Sequence, residues 1–370
     1  MSKIDELFLN SIINHKAFVA YRNPFEESFK YFNTSNLSSF NATQFENKTQ
    51  KGFAFCAFNN ENENYFLEAE NQYSSPQEIL NLSANFDFFK SLPSNNSIYP
   101  TDKAQFVATV NKAIDQIQAQ TLQKVVVSRT YSVPYTYIYH PLNHFSRLAS
   151  KYPNAFVSIV YIPNKFCWIG ATPELLAEYQ SNGDFKTVAL AGTQSYPPGM
   201  NPKEAIWRQK EIEEQALVSR YIISCFKKIR VRDFEEHGPK TIIAGKLMHL
   251  KTEFYANAEK VNYPYLASEM LTLLHPTSAV NGMPRANALE FIEANENYTR
   301  QYFAGFLGPI NQSVKAGIDT VSNLYVNIRC MQLFQNEAIC YAGAGITEDS
   351  DAEKEWDETA LKMQTILDLF

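Results

Sequence analysis

The sequence predicts an α+β fold built on antiparallel sheet. Three observations carry this reading. Strand-like runs rich in β-branched and aromatic residues follow one another in hairpins, helix-periodic segments come in separate runs, and no regular strand–helix–strand alternation appears. The chain has 370 residues, 45% hydrophobic and 19% charged, which is globular composition with enough length to bury a large core. That length admits two domains, but the chain is read as one, with residues 1–100 a divergent N-terminal part of the fold and 101–370 its motif-bearing part.

Residues 1–100 are rich in Asn, Phe and Ser and read as short strands and turns without a chemical motif. Asp5, Glu6, Asn10 and Asn14 interrupt the first apolar positions, so no secretion signal is read. The longest apolar runs fall short of a membrane span. Thr101 or Asp102 can cap a helix whose apolar positions Phe106, Val110, Ala113 and Ile117 keep helical spacing. KVVVSRTYSV from Lys124 is β-branched and reads as a strand. FVSIVYI from Phe156 and KFCWIGATPELLAEY from Lys165 read as a hairpin turning at Pro163 and Asn164. FKTVALAGT from Phe185 is a further strand, followed by a helix from about Pro202 to Ile229 and the strand-like TIIAG. Two helices flank LLHPTSAVNGMP, and FAGFLGPIN, NLYVNIRCMQLF and EAICYAGAGI read as three strands. The last helix is expected to start near Ser350, with Ser350 and Glu353 as a capping box.

The net charge of -6, with no long run of Lys or Arg, argues against nucleic acid and anionic membrane as partners. Cys56, Cys167, Cys225, Cys330 and Cys340 are scattered among mostly apolar neighbours without a CxxC pair. They read as reduced core residues, which suits a cytoplasmic protein.

The candidate chemistry is spread along the chain. Glu355, Glu358 and Lys362 share one face of the last helix, either as a solvated charged face or as a seat for a hard cation. Glu211, Glu213 and Glu214 lie on the earlier long helix, with Glu214 nearest its apolar side. Glu174, after Pro173 at the end of an apolar strand, suits a general acid, because burial raises a carboxyl pKa; the alternative is an exposed strand end. Lys124 opens an apolar strand, where a lysine can also simply reach for water. GAGI at 343–346 and LAGT at 190–193 read as small-residue turns whose amides can cradle an anion. Neither fits a nucleotide-binding motif. Arg329, read inside an apolar strand, needs a carboxylate, from a ligand or from the protein. His249 and His275 show no zinc spacing and read as hydrogen-bonding histidines, and Ser128, Ser195 and Ser278 show no nucleophile elbow.

Taken in order, KVVVSR, GATPELL, LAGT, KEIEEQALV, MHLKTEF, LLHPTSAVNGMP, RQYFAGFLG, YVNIRC and YAGAGITEDSDAEKEWDETALK resemble the chorismate-utilising enzymes, from Thr101 to Phe370. The resemblance implies two antiparallel sheets packed face to face, helices outside, and an active site in the cleft between them. It implies Mg²⁺ held by Glu214, Glu355 and Glu358. It also implies chorismate as substrate, bound through Gly192, Thr193, His249, Arg329, Lys362 and the Gly343, Ala344 and Gly345 amides. Two positions point to water as nucleophile. Lys124 stands where ammonia-using members carry Gln, and Ala191 stands where aminodeoxychorismate synthases often carry a lysine. The implied activity is that of an isochorismate synthase with Lys124 as general base and Glu174 as general acid. No glutamine amidotransferase subunit is expected. The chain departs from the family at QSYPPG after LAGT, where members often carry Arg-Pro-Arg-Gly.

Overall fold

The computed structural model describes residues 2–368 apart from 48, 60, 84–85, 135–139, 198, 245–246 and 314–319. The chain begins α1 (Lys3–Ile13), β1 (Ala17–Arg22), β2 (Ser28–Thr34), β3 (Leu37–Ser39), β4 (Gly52–Cys56), β5 (Tyr65–Glu68), β6 (Tyr73–Pro76), α2 (Phe86–Lys90) and α3 (Lys103–Gln118). It continues β7 (Lys124–Pro134), α4 (Pro141–Lys151), β8 (Phe156–Ile162), β9 (Phe166–Thr172), β10 (Leu175–Gln180), β11 (Asp184–Ser195), α5 (Gln209–Lys228), β12 (Glu235–Ala244) and β13 (Leu247–Asn257). It ends α6 (Leu266–Leu274), β14 (Gly282–Met283), α7 (Arg285–Asn295), β15 (Phe306–Ile310), β16 (Gln312–Ser313), β17 (Thr320–Val326), β18 (Cys330–Leu333), β19 (Glu337–Ile346) and α8 (Ala352–Leu367).

These strands form two sheets, antiparallel at every pairing among the described residues. One runs β14-β7-β19-β18-β9-β8-β1-β2-β6; the other runs β12-β13-β11-β10-β17-β15-β4-β5-β3, with β16 paired to β17. They pack face to face through aromatic side chains. Phe156 of β8 stacks on Tyr325 of β17 with centroids 4.2 Å apart, and Tyr21 of β1 meets Phe53 of β4 at 5.6 Å. Helices cover the outside: Phe8 of α1 and Phe145 and Leu148 of α4 close over the first sheet, and Val218, Ile222 and Phe226 of α5 join the core of the second. The first hundred residues thus supply strands to both sheets. Their α1 was not expected, because Asn and Ser dilute the Ile4, Phe8, Ile12 spacing that buries it.

Several boundaries differ from expectation, each for a local reason. That of α3 does not: Asp102, one of its two expected caps, accepts from the Gln105 amide at 2.8 Å. On α8 the cap is Asp351, not a Ser350–Glu353 box. Its carboxylate accepts from the Glu353 and Lys354 amides at 3.0 and 3.1 Å, while the Ser350 hydroxyl accepts from Thr347. Negative charge at a helix N-terminus adds to that cap. Residues 202–204 form a separate turn, so α5 starts only at Gln209. Among the described residues no helix is long and apolar enough to cross a membrane, and the five cysteines are free and buried.

The stretch KFCWIGATPELLAEY is not one strand but two, in different sheets. Pro173 has no amide hydrogen to continue the ladder, so β9 ends at Thr172 and the chain passes into β10 of the other sheet. NLYVNIRCMQLF does the reverse, leaving the second sheet at Val326 and entering the first at Cys330. Because β9 pairs with β18 and β10 with β17, the two segments form a ribbon that bends from sheet to sheet. The bends are tied together: the Ala171 amide donates to the Arg329 carbonyl and the Val326 amide to the Glu174 carbonyl, both at 3.0 Å.

Candidate active site

Beside that bend lies a cavity between the sheets. Strand alternation builds one wall: on β7, Lys124 and Val126 point into it while Val125 and Val127 join the core. From β19, Gly343 and Gly345 line it, and Ala344 turns away into the core. Residues 343–346 are therefore strand rather than the expected turn, paired residue for residue with β7 as far as Ile346. Beyond Cys340 the other edge of β19 has no strand partner among the described residues. A side chain at Gly345 would collide with Glu214 Oε1 and the Lys124 stem.

The opposite wall comes from β11 and β13. LAGT is also strand, but it carries a bulge between Ala191 and Thr193, where Gly192 takes φ +68° and lies against the backbone of Glu211. His249 of β13 is buried, with Nδ1 3.2 Å from the Gly192 carbonyl and 3.3 Å from the Thr193 hydroxyl. A carbonyl only accepts, so the ring proton sits on Nδ1 and the unpartnered Nε2 is left as an acceptor. Burial, with Arg329 and Lys362 adding to it, drops the imidazole pKa to about 3, so this ring is neutral. His275 is structural, its Nε2 2.9 Å from the Ala57 carbonyl.

Glu174 and Arg329 occupy the two bends of the ribbon. Arg329 is not inside a strand. It adopts φ +51°, an uncommon conformation for a residue with a side chain. Its guanidinium is buried and, among the described residues, donates to the Lys362 carbonyl at 3.3 Å and the Thr365 hydroxyl at 3.4 Å. Among the described residues it has no carboxylate partner in ion-pair range. Burial brings its pKa down to about 10, which leaves it charged at neutral pH. A buried, unpaired guanidinium beside a cavity fits an anion. Glu174 is buried too. Desolvation lifts its pKa to about 7 against the opposing pull of Lys124, Lys362 and Arg329, so a large share is protonated near neutrality.

That value makes a stability prediction. The folded state holds a proton on Glu174 that an unfolded carboxyl, with its ordinary pKa of 4.5, releases earlier. Stability is therefore lost as pH rises from about 4.5 through about 7. Glu174→Gln does not titrate. Its melting curves should gain on wild type across that window, by roughly 3 kcal/mol at pH 8. Parallel pH–stability profiles would mean Glu174 is an ordinary carboxylate.

Two more carboxylates line the cavity and a third lies beside them outside its wall, each facing a lysine. Glu214 of α5 lies 3.3 Å from Lys124 Nζ. Glu358 of α8 lies 2.7 Å from Lys362 Nζ, which also donates to the Gly343 carbonyl at 2.9 Å. Glu355 is ion-paired to Lys210 and is not on the cavity wall. Thr359, Met363 and Ile366 share its buried face of α8, whereas Trp356, Ala360 and Leu367 are only partly buried. Burial works against charge on Glu358, yet Lys362, Lys210 and Arg329 hold it below the usual carboxylate range. Burial raises Glu355, opposed by Lys210, and the like charge of Glu358 adds to the rise. Among the described residues no three acids, histidines or cysteines stand as a finished metal cage. The donors nonetheless suit a hard cation. All are carboxylate oxygens, Mg²⁺ takes few protein ligands and fills its shell with water and ligand oxygens, and Glu355 Oε2 is buried without a hydrogen-bond partner.

Three supporting residues were not singled out from the sequence. Gln215 ties α5 to β11, accepting from the Ala191 amide at 3.0 Å and donating to the Ala189 carbonyl and Thr252 hydroxyl. Arg129 lies 3.7 Å over the Trp356 ring and donates to Thr359 at 2.6 Å, which fixes the face of α8 that carries the acids. Lys210 is the third. Lys210 and Gln215 fall within KEIEEQALV, but nothing in that string marks which of its polar residues turns inward.

Comparison with known proteins agrees with this architecture. Residues 17–370 match the family described as chorismate binding enzyme, so the likeness extends well into the first hundred residues. The isochorismate synthase EntC of Escherichia coli is 29% identical over 277 residues, 73% of this chain and 68% of that protein. Anthranilate synthase component 1 of Bacillus pumilus is 23% identical over 295 residues, 78% of this chain and 55% of that protein. The solved structure of the menaquinone-specific isochorismate synthase MenF of Escherichia coli superposes with a TM-score of 0.76 at 20% identity, covering 100% of this chain and 91% of MenF. That of DhbC from Bacillus anthracis gives 0.77 at 21% identity, covering 99% of each. With a family match over nearly its whole length, and a cavity between two sheets that gathers the motif residues, this chain belongs to the chorismate binding enzymes.

Proposed function

We propose that this enzyme is an isochorismate synthase, Mg²⁺-dependent, using water and no amidotransferase subunit. One observation supports it most: Lys124 and Glu174 share a single buried cavity without pairing to each other, Lys124 facing Glu214 and Glu174 carrying a pKa near 7. An ion pair with Lys124 would hold Glu174 as the carboxylate, unable to give a proton. Lys124, as the free amine in the reacting state, takes a proton from the water that attacks C2 of the ring. Glu174 gives a proton to the C4 hydroxyl, which leaves as water while the ring double bonds shift between the two carbons. One water enters and one departs, so the step is balanced. Chorismate is a dianion, and Arg329 and Lys362 supply fixed positive charge for its carboxylates. Mg²⁺, when bound by Glu214, Glu355 and Glu358, would supply further charge stabilisation for a substrate carboxylate. His249 offers an acceptor for a substrate hydroxyl.

Relatives named anthranilate synthase mean that ammonia must be weighed as nucleophile. Lys124 and Ala191 favour water instead. Incubating the purified protein with chorismate, Mg²⁺ and ammonium salt, then separating the products, tests this. Isochorismate alone is expected. An aminated product would overturn the assignment, and pyruvate released in step with chorismate loss would make the enzyme a salicylate synthase.

Arg329 gives a second test. Arg329→Ala should weaken chorismate binding by roughly 2–5 kcal/mol, because a buried carboxylate is left unpaired. Arg329→Lys should rescue poorly, having lost the planar fork. An unchanged KM in both variants would assign Arg329 to holding α8 through Thr365.

A further inference from the structure

Three carboxylates and three lysines meet at the junction of α5 and α8, and the lysines differ in how they are held. Lys124 is 2% exposed and lies against the cavity. Lys362 is anchored twice, by Glu358 and by the Gly343 carbonyl. Lys210 is different. Its side chain is 24% exposed, Glu355 is its one hydrogen-bond partner among the described residues, and it does not line the cavity. It also sits in the first turn of α5, where the helix dipole disfavours a cation, so its position gains nothing from the helix itself. What holds it there is negative charge: Glu355 first, then Glu214 one turn along α5 and Glu358 on α8. Glu355 is 2% exposed and has no escape from this pairing, whereas a lysine on a flexible stem can swing into water.

We propose that Lys210 is the resident cation of the metal-free site, an internal counter-ion that a divalent metal must displace from Glu355 in order to bind. This rests on the reading that Glu214, Glu355 and Glu358 hold the metal. It explains why those carboxylates do not converge on one point here: each is turned toward its own ammonium. It also gives Lys210 a function distinct from catalysis. It keeps three partly buried anions compatible with folding before metal arrives, at the cost of metal affinity.

The test is Mg²⁺ binding measured by titration calorimetry on substrate-free protein. Wild type is compared with Lys210→Met, Lys210→Gln and Lys210→Arg, with Glu358→Gln as control. Removing the competing charge should tighten Mg²⁺ binding by about tenfold or more in the Met and Gln variants. Lys210→Arg should not tighten it. In EDTA the two neutral variants should melt below wild type and recover with Mg²⁺, while wild type responds less. Unchanged or weaker Mg²⁺ affinity in both neutral variants, with Glu358→Gln abolishing binding, would overturn the role of Lys210 and leave the metal site standing. Binding that is absent in every protein, or indifferent to Glu358→Gln, would overturn the metal reading itself.

Discussion

Lys124→Gln should lower kcat by about 10²–10⁴-fold with KM little changed, the loss expected when a general base is removed but the binding groups remain. The geometry makes this a clean substitution. Lys124 enters the cavity from β7, whereas Arg329 and Lys362 come from the ribbon bend and α8, so the anion-binding side chains do not depend on it. Its one ion-pair partner among the described residues is Glu214, 3.3 Å away. With Mg²⁺ bound, Glu214 would have another positive charge to answer, and glutamine can still donate a hydrogen bond to it. Lys124→Ala should show the same fall in kcat with a larger effect on stability in EDTA, where Glu214 loses its counter-charge. A fall in affinity with unchanged kcat would make Lys124 a substrate-binding lysine and remove the main argument for water.

EDTA should abolish turnover and Mg²⁺ should restore it, the larger of the two effects because Lys210, which answers Glu355 without the metal, does not line the cavity. Glu358→Gln should reproduce metal removal even at high Mg²⁺, since one of few ligands is lost. Zn²⁺ should substitute poorly, because the site offers carboxylate oxygens and no thiolate, and its one nearby imidazole, His249, already gives Nδ1 to the Gly192 carbonyl. Full activity in EDTA would exclude a metal role for these acids.

Much of this could be read from the sequence, and the failures are instructive. Side-chain periodicity is local, so β7, α3, β11 and the pairing of Glu355 with Glu358 on one helix were all visible. Topology is not local. KFCWIGATPELLAEY is apolar enough to read as one strand, and only the proline hinted that it changes sheets. Arg329 looked like a strand arginine for the same reason. GAGI and LAGT suggested turns by composition, yet glycine there serves close approach, to Glu214 at Gly345 and to the Glu211 backbone at Gly192. Lys210 was missed because charge among charges on a helix start reads as solvated surface. Its partner Glu355 is buried on the same face as Met363, which no local pattern reveals.

The bent ribbon has a consequence for how such a protein can change. Glu174 and Arg329 are the hinge pins of a joint whose leaves are the two sheets, while Lys124 and His249 ride one on each leaf. No cut between Lys124 and Lys362 leaves the whole site on one piece. A chimera that takes one sheet from a relative inherits half of the chemistry and must match the other half across an interface of stacked rings such as Phe156 on Tyr325. Recombination sheet by sheet is therefore closed to this architecture, and new chemistry comes more readily from exchanging single side chains around the cavity while both sheets stay in place.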